Sequence, residues 1–177
     1  MHKNIFFLVV LVSLVIAQTP QIYYVSVSGN NNQYCSIDNP CSSIDQAISV
    51  FLENENNSAT LEIRMFSGTY TGQGNTNLDL SGIDITIQPQ SSPFVIECEN
   101  ENEDYVFKTR NYLNVFDISI KNCYIGINAT KTFVSLNSVN FENIQSFASS
   151  GSGVLDSCSF SNADSFGVYF QNGNWNI

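Results

Sequence analysis

The residues able to do chemistry in this chain are mostly carboxylates: 16 acidic side chains face six basic ones and a single histidine, His2. Glycosidic hydrolysis needs two carboxyl groups about 5 to 10 Å apart, one as acid and one as base. The densest acidic stretch, Glu97, Glu99, Glu101, Glu103 and Asp104, is interleaved with asparagine. Its oxygens are the hard ligands of which Ca²⁺ takes about 6 to 8, so calcium belongs here if anywhere, with Arg110 as the nearby base of a lyase. Carboxylates that share one loop read first as a solvated loop, and no cofactor is expected. Asp79, Asp84 and Asp117 with Arg64 or Arg110 form the other acid and guanidinium set. Strand alternation makes Asp84 and Asp117 outward or loop neighbours of Ile85 and Ile118. No catalytic residue is assigned.

The cysteines, Cys35, Cys41, Cys98, Cys123 and Cys158, offer structure more readily than reactivity. Cys35 and Cys41 flank the turn-forming residues Ser36, Ile37, Asp38, Asn39 and Pro40, which can bring two Cα atoms within bridging distance. They are the expected disulfide. Zinc is disfavoured by the spacing and by the absence of a downstream histidine. Cys98 can pair with Cys123, leaving Cys158 odd, and the pairing of these three stays open. Cys158 has no histidine to activate it as a nucleophile and reads as a small apolar residue. Asn56 and Asn128 head Asn-x-Ser/Thr sequons in polar surroundings and are the expected glycosylation positions.

A compartment that permits disulfides is implied by the N-terminus. Met1, His2, Lys3 and Asn4 precede an apolar run from Ile5 to Ala17, broken only by Ser13, in the order of a secretory signal peptide. The run is shorter than the about 20 apolar residues of a membrane span, so the mature chain is expected outside the cell with no span after cleavage. Loss of Lys3 leaves five basic residues against 16 acidic ones, a formal charge of −11. Nucleic acid, which requires clustered Lys and Arg, is therefore excluded as a partner.

The elements that must position these groups are short β-type runs. A strand is expected at Ile22 to Val27. A helix follows, opened by Ser43 and Gln46 at capping-box spacing, with Ile44, Ala47, Ile48 and Phe51 along one side, and it ends before Asn54 to Ser58. Beyond it, Leu61 to Met65, Ile83 to Ile87, Phe94 to Ile96 and Tyr105 to Phe107 are further expected strands. Ile118-Ser119-Ile120-Lys121-Asn122, Val139-Asn140-Phe141-Glu142-Asn143 and Cys158-Ser159-Phe160-Ser161-Asn162 repeat one template, with asparagines 21 and 19 residues apart. That period suits a solenoid. It predicts inward stacks of Ile118, Val139 and Cys158 and of Ile120, Phe141 and Phe160, and a structural asparagine ladder of Asn122, Asn143 and Asn162, since a side-chain amide both donates and accepts.

The opening Tyr23-Tyr24-Val25-Ser26, Gly29, the clip with Asn39-Pro40-Cys41, and Ser43-Ile44 through Ala47-Ile48 resemble secreted proteins of the pectin-lyase-like superfamily. So do Met65 to Tyr70, Ile83 to Ile87 and Val95-Ile96-Glu97-Cys98. The chain is most similar to protist members related to polymorphic outer-membrane-protein repeats. The resemblance implies an all-β fold, a right-handed parallel β-helix with a short N-terminal capping helix. The expected organisation is a signal peptide at 1–17, the strand, clip and helix at 18–60, and β-helix coils at 61–177. One scaffold serves many activities. The polygalacturonase branch uses an adjacent Asp pair and a histidine; there is no Asp-Asp dipeptide, and no histidine remains after the leader.

The expected function is a non-catalytic surface, matrix or carbohydrate-binding module, with polysaccharide or cell-surface glycans as partners. Tyr70, Tyr105, Tyr112, Tyr124 and Trp175 are the aromatics available for sugar stacking. The alternatives are a polysaccharide lyase or esterase of the superfamily and a truncated, non-functional member. Self-association through an uncapped C-terminal edge is the further expectation, because Val168-Tyr169-Phe170 and Trp175 form a β-prone run with no capping helix.

Overall fold

The structure is a computed structural model; it describes residues 19–54, 60–99, 105–162, 166–170 and 174–177, with 146–149 and 166–170 as backbone alone. The leader at 1–17 lies outside the described residues. In chain order the elements are β1 (Gln21–Val25), α1 (Ile44–Glu53), β2 (Leu61–Met65), β3 (Gly68–Thr71), β4 (Leu78–Asp79), β5 (Ile85–Pro89), β6 (Phe94–Glu97), β7 (Phe107–Thr109) and β8 (Leu113–Phe116). There follow β9 (Ile118–Lys121), β10 (Ile125–Ala129), β11 (Phe133–Asn137), β12 (Asn140–Glu142), β13 (Ser146–Ser149), β14 (Ser152–Asp156), β15 (Ser159–Ser161), β16 (Phe166–Phe170) and β17 (Trp175–Asn176).

The fold is all-β apart from one short helix, with three parallel sheets. A long sheet has seven strands in the order β1-β2-β5-β8-β11-β14-β17; a second has β3-β6-β9-β12-β15, and a third has β4-β7-β10-β13-β16. From β2 onward the chain visits the long, second and third sheets in rotation, so each strand pairs with its counterpart one circuit earlier and one circuit later.

Alternation along the strands supplies the core. On the long sheet Tyr23, Ile63, Ile87, Val115, Leu136 and Leu155 follow one another in register and are all buried. On the second sheet Tyr70, Ile96, Ile120, Phe141 and Phe160 do the same, with Phe160 partly buried. The Phe141 and Phe160 rings stack with centroids 4.8 Å apart. The strand alternation of i and i+2 turns every intervening residue outward.

The bends between sheets are sharp, and their backbone repeats. Asp117, Ser138 and Ser157 join the long sheet to the second with φ of +48°, +55° and +54°; Asn122, Asn143 and Asn162 join the second to the third with +56°, +52° and +54°. Asn and Asp tolerate this left-handed region better than other L-residues. Each bend also bonds to its neighbour: Asp117 N–H donates to Asn137 O, Ser138 N–H to Asp156 O, Asn122 N–H to Glu142 O and Asn143 N–H to Ser161 O, at 2.8–3.0 Å.

At the N-terminal end α1 lays Ile44, Ala47, Ile48, Val50 and Phe51 against β1 and β2. Ser43 caps it by accepting from Gln46 N–H at 3.2 Å. The reciprocal half of the expected capping box is absent, because the Gln46 side chain donates instead to Asn32 O at 3.3 Å. Strand ends also shift: β1 starts at Gln21 and stops at Val25, β5 starts at Ile85, and Tyr105 and Val106 precede β7. Cys158 is half-buried rather than buried, since β15, which it precedes, is the last described strand of the second sheet.

One small residue lets the second and third sheets meet. A Cβ on Gly126 of β10 would lie 2.7 Å from Phe141 Cε1 and 3.4 Å from Ile144 Cδ1. The Phe141 ring cannot withdraw, being stacked between Ile120 and Phe160. Gly126→Ala is therefore expected to cost about 1–3 kcal/mol, as overpacking does, measured by denaturant unfolding.

Candidate functional site

The asparagine column is a continuous hydrogen-bonded chain. Asn162 Nδ2 donates to Asn143 Oδ1 at 3.0 Å, Asn143 Nδ2 to Asn122 Oδ1 at 2.9 Å, and Asn122 Nδ2 to Glu97 Oε1 at 2.6 Å. Glu97 thus ends the column with a group that only accepts, which fixes the direction of every amide above it. Next to it, Cys98 takes the bend position, with its N–H on Lys121 O at 3.1 Å. Cys98 and Cys123 are disulfide-bonded (Cα–Cα 5.2 Å), as are Cys35 and Cys41 (4.7 Å). Cys158 is the remaining thiol, and burial raises its pKa, which disfavours the reactive thiolate.

A surface hollow of about 500 Å³ lies at the foot of the column, lined by Thr71, Glu97, Cys98, Glu99 and Asn122. It holds the described part of the expected calcium stretch; Glu101, Glu103 and Asp104 lie outside the described residues. Among the described residues no group of three His, Cys, Asp or Glu is gathered to hold a metal ion. The other carboxylates serve local structure. Asp79 accepts from Ser81 N–H at 3.0 Å and faces Lys108 Nζ at 3.4 Å, and these hydrogen bonds, Ser81 first, hold its pKa below the ordinary value. Asp84 Oδ1 accepts from Tyr112 N–H at 3.0 Å, and Asp117 forms a bend. Arg64 is engaged by Glu62 at 2.6 Å, and this bond raises its pKa. Asp79, Asp84, Asp117 and Arg64 thus each serve a separate local contact or bend.

The five aromatics expected as a platform do not share one surface. Tyr70 is buried, its phenol donating to Phe66 O at 2.8 Å and Val25 O at 3.1 Å, and burial pushes its pKa up to about 12. Trp175 is partly buried and donates to Gly151 O at 2.8 Å. Tyr105 lies under Lys108 Nζ at 5.9 Å, and Tyr124 is exposed elsewhere. Tyr112 instead pairs with Phe133, which the sequence reading passed over. Their rings are stacked, 5.7 Å between centroids and 4° between planes, with 39% and 41% of each residue exposed. The signal was available: Tyr112 and Phe133 are 21 residues apart, the spacing of Asn122 and Asn143.

This pair borders the outer face of the long sheet, whose outward column runs Glu62, Thr86, Asn114 and Ser135 in register. Glu62 Oε1 accepts from both Arg64 Nε and Gln88 Nε2, each at 2.6 Å. Asn114 Oδ1 is buried and accepts no hydrogen bond. The half-buried Thr86 and Ser135 of this column lie on the face that the exposed aromatic stack borders, and an aromatic with hydroxyls nearby is the combination that receives a ring with one apolar face and several hydroxyls.

Of the sequon asparagines, Asn56 lies outside the described residues. Asn128 falls in β10 rather than in a polar loop, half-buried, between Lys108 and Ala148 in register. Among the described residues no helix is long and apolar enough to cross a membrane. The two disulfides fit an extracellular protein.

No protein-family model, curated protein or solved structure matches the chain.

The column separates two roles of one residue, since Asn143 both adopts a left-handed backbone and bonds in the column. Asn143→Gly is expected to cost about 1 kcal/mol for the lost side-chain bonds, and Asn143→Ala about 1 kcal/mol more for the strained backbone, both by thermal unfolding. Equal losses would remove backbone strain from the explanation.

Proposed function

We propose that the chain is an exported, non-catalytic carbohydrate-binding protein built as a right-handed parallel β-helix of the pectin-lyase-like kind, which binds on the outer face of the long sheet. The rotation of the chain through three parallel sheets supports the β-helix, and the strong right-handed bias of parallel crossovers supports its hand. Two disulfides support export. The observation that carries the binding reading is the exposed Tyr112–Phe133 stack at the border of the long sheet's outer face.

Charge narrows the ligand. A mature chain of formal charge −11 repels polyuronates, so neutral glycans are the favoured class. Glycosylation at Asn128, on the third sheet, would leave the long sheet's face clear.

Affinity electrophoresis in gels containing neutral β-glucan, with polygalacturonate for comparison, tests this reading. Retardation is expected in the neutral gel, and Tyr112→Ala with Phe133→Ala is expected to weaken it about tenfold, equivalent to about 1.4 kcal/mol. Unchanged retardation of the double variant would count against the face, and new reducing ends or unsaturated products would count against a non-catalytic role.

A further inference from the structure

A second cavity, of about 360 Å³, lies between α1 and the clip, lined by Tyr23, Gln33, Tyr34, Val50, Glu53 and Asn54. Its electrostatics run against the helix that forms it. The C-terminal end of a helix carries partial negative charge and favours basic residues, yet the last turn of α1 has no basic residue and finishes on Glu53. Glu53 makes no ion pair among the described residues. An exposed carboxylate thus sits, with no counter-charge among the described residues, where the helix itself disfavours it.

The opposite wall is unusually well fixed for a loop. Tyr34 is 65% exposed, but its backbone is held on both sides. Asn32 Oδ1 accepts from Tyr34 N–H and Cys35 N–H at 2.8 Å, while Asn32 Nδ2 donates to Asn30 O and Asn39 O at 2.9 and 3.1 Å. The Cys35–Cys41 disulfide closes the loop, and Tyr24 of β1 bonds to both ends of it, at 2.7 and 2.9 Å. Gln33 Nε2 donates to the Tyr34 hydroxyl at 2.8 Å. Asn54 Nδ2 donates to the Tyr23 hydroxyl at 2.8 Å, fixing the wall nearest the helix end. An exposed aromatic ring is presented by a preorganised loop across from an uncompensated carboxylate.

We infer that this cavity is a binding site for an organic ammonium group. An aromatic face attracts cations, and Glu53 with the helix end supplies the negative charge. A hydrated metal ion is the poorer match, because it needs several oxygen ligands where the cavity offers one carboxylate. Violation of a local rule at a supported position is where function is expected. The site is independent of the long-sheet face, and either reading stands if the other fails.

NMR titration of the isotope-labelled full chain with tetramethylammonium chloride, against sodium chloride at equal ionic strength, tests the inference. Saturable shifts are expected at Tyr34, Glu53 and Asn54, with affinity reduced at least fivefold by Tyr34→Ala and by Glu53→Gln and retained by Tyr34→Phe. Glu53→Gln is at the same time expected to raise the thermal midpoint, since it removes a repulsion with the helix end. Shifts that match sodium chloride, or saturable binding undiminished in Tyr34→Ala and Glu53→Gln, would overturn the inference. A lowered midpoint in Glu53→Gln would overturn it too, by making the carboxylate a structural group.

Discussion

Parallel strands about 4.8 Å apart leave a side chain in this molecule no closer neighbour along the stack than its counterpart one circuit away. Every position must therefore be compatible with a near-copy of itself above and below. Aliphatic and aromatic side chains meet that condition by packing, as Ile120, Phe141 and Phe160 do. Asparagine meets it by hydrogen bonding, because its amide donates in one direction and accepts in the other. A charged residue meets it only beside a complementary one, as Lys121 does with Glu142 at 2.7 Å.

The same condition explains how the bends are made. A left-handed backbone repeated in the three later circuits places its N–H toward the next circuit's carbonyl, so these turns join the ladder of the strands. Asparagine at Asn122, Asn143 and Asn162 satisfies the backbone and the stack together. Where the column reaches Glu97, the carboxylate accepts the last amide, and the Cys98–Cys123 disulfide locks the neighbouring bend to the following circuit. The core, the bends and the cross-links thus hold one register. On the outer face of the long sheet the exposed Tyr112–Phe133 pair meets the same condition by ring stacking.

How much of this was legible in the sequence depended on whether a feature repeats. The template ending in Asn122, Asn143 and Asn162 gave the strand register, the inward columns and the stacking of the asparagines. The helix was legible because its apolar stripe and Ser43 cap are local. Phe133 escaped notice because no strand was read at 133–137, although it stands 21 residues after Tyr112, the period of the asparagines. The five aromatics were grouped by type, and only the fold shows that Tyr70 points into the core and Trp175 leans on Gly151. Gln46 bonds to Asn32 rather than back to its own cap, a choice made by the tertiary position of the clip. The clip's own cavity depends on the same packing, and no local pattern announces it.

Long-range nuclear Overhauser contacts on the second sheet test the stacking most directly. The result expected is a parallel pattern, with Ser119 close to Asn140 and Asn140 close to Ser159, and Lys121 close to Glu142 and Glu142 close to Ser161. Contacts in which one index rises as the other falls, the signature of antiparallel hairpins, would contradict the register on which the bends, the asparagine column and both proposed sites depend.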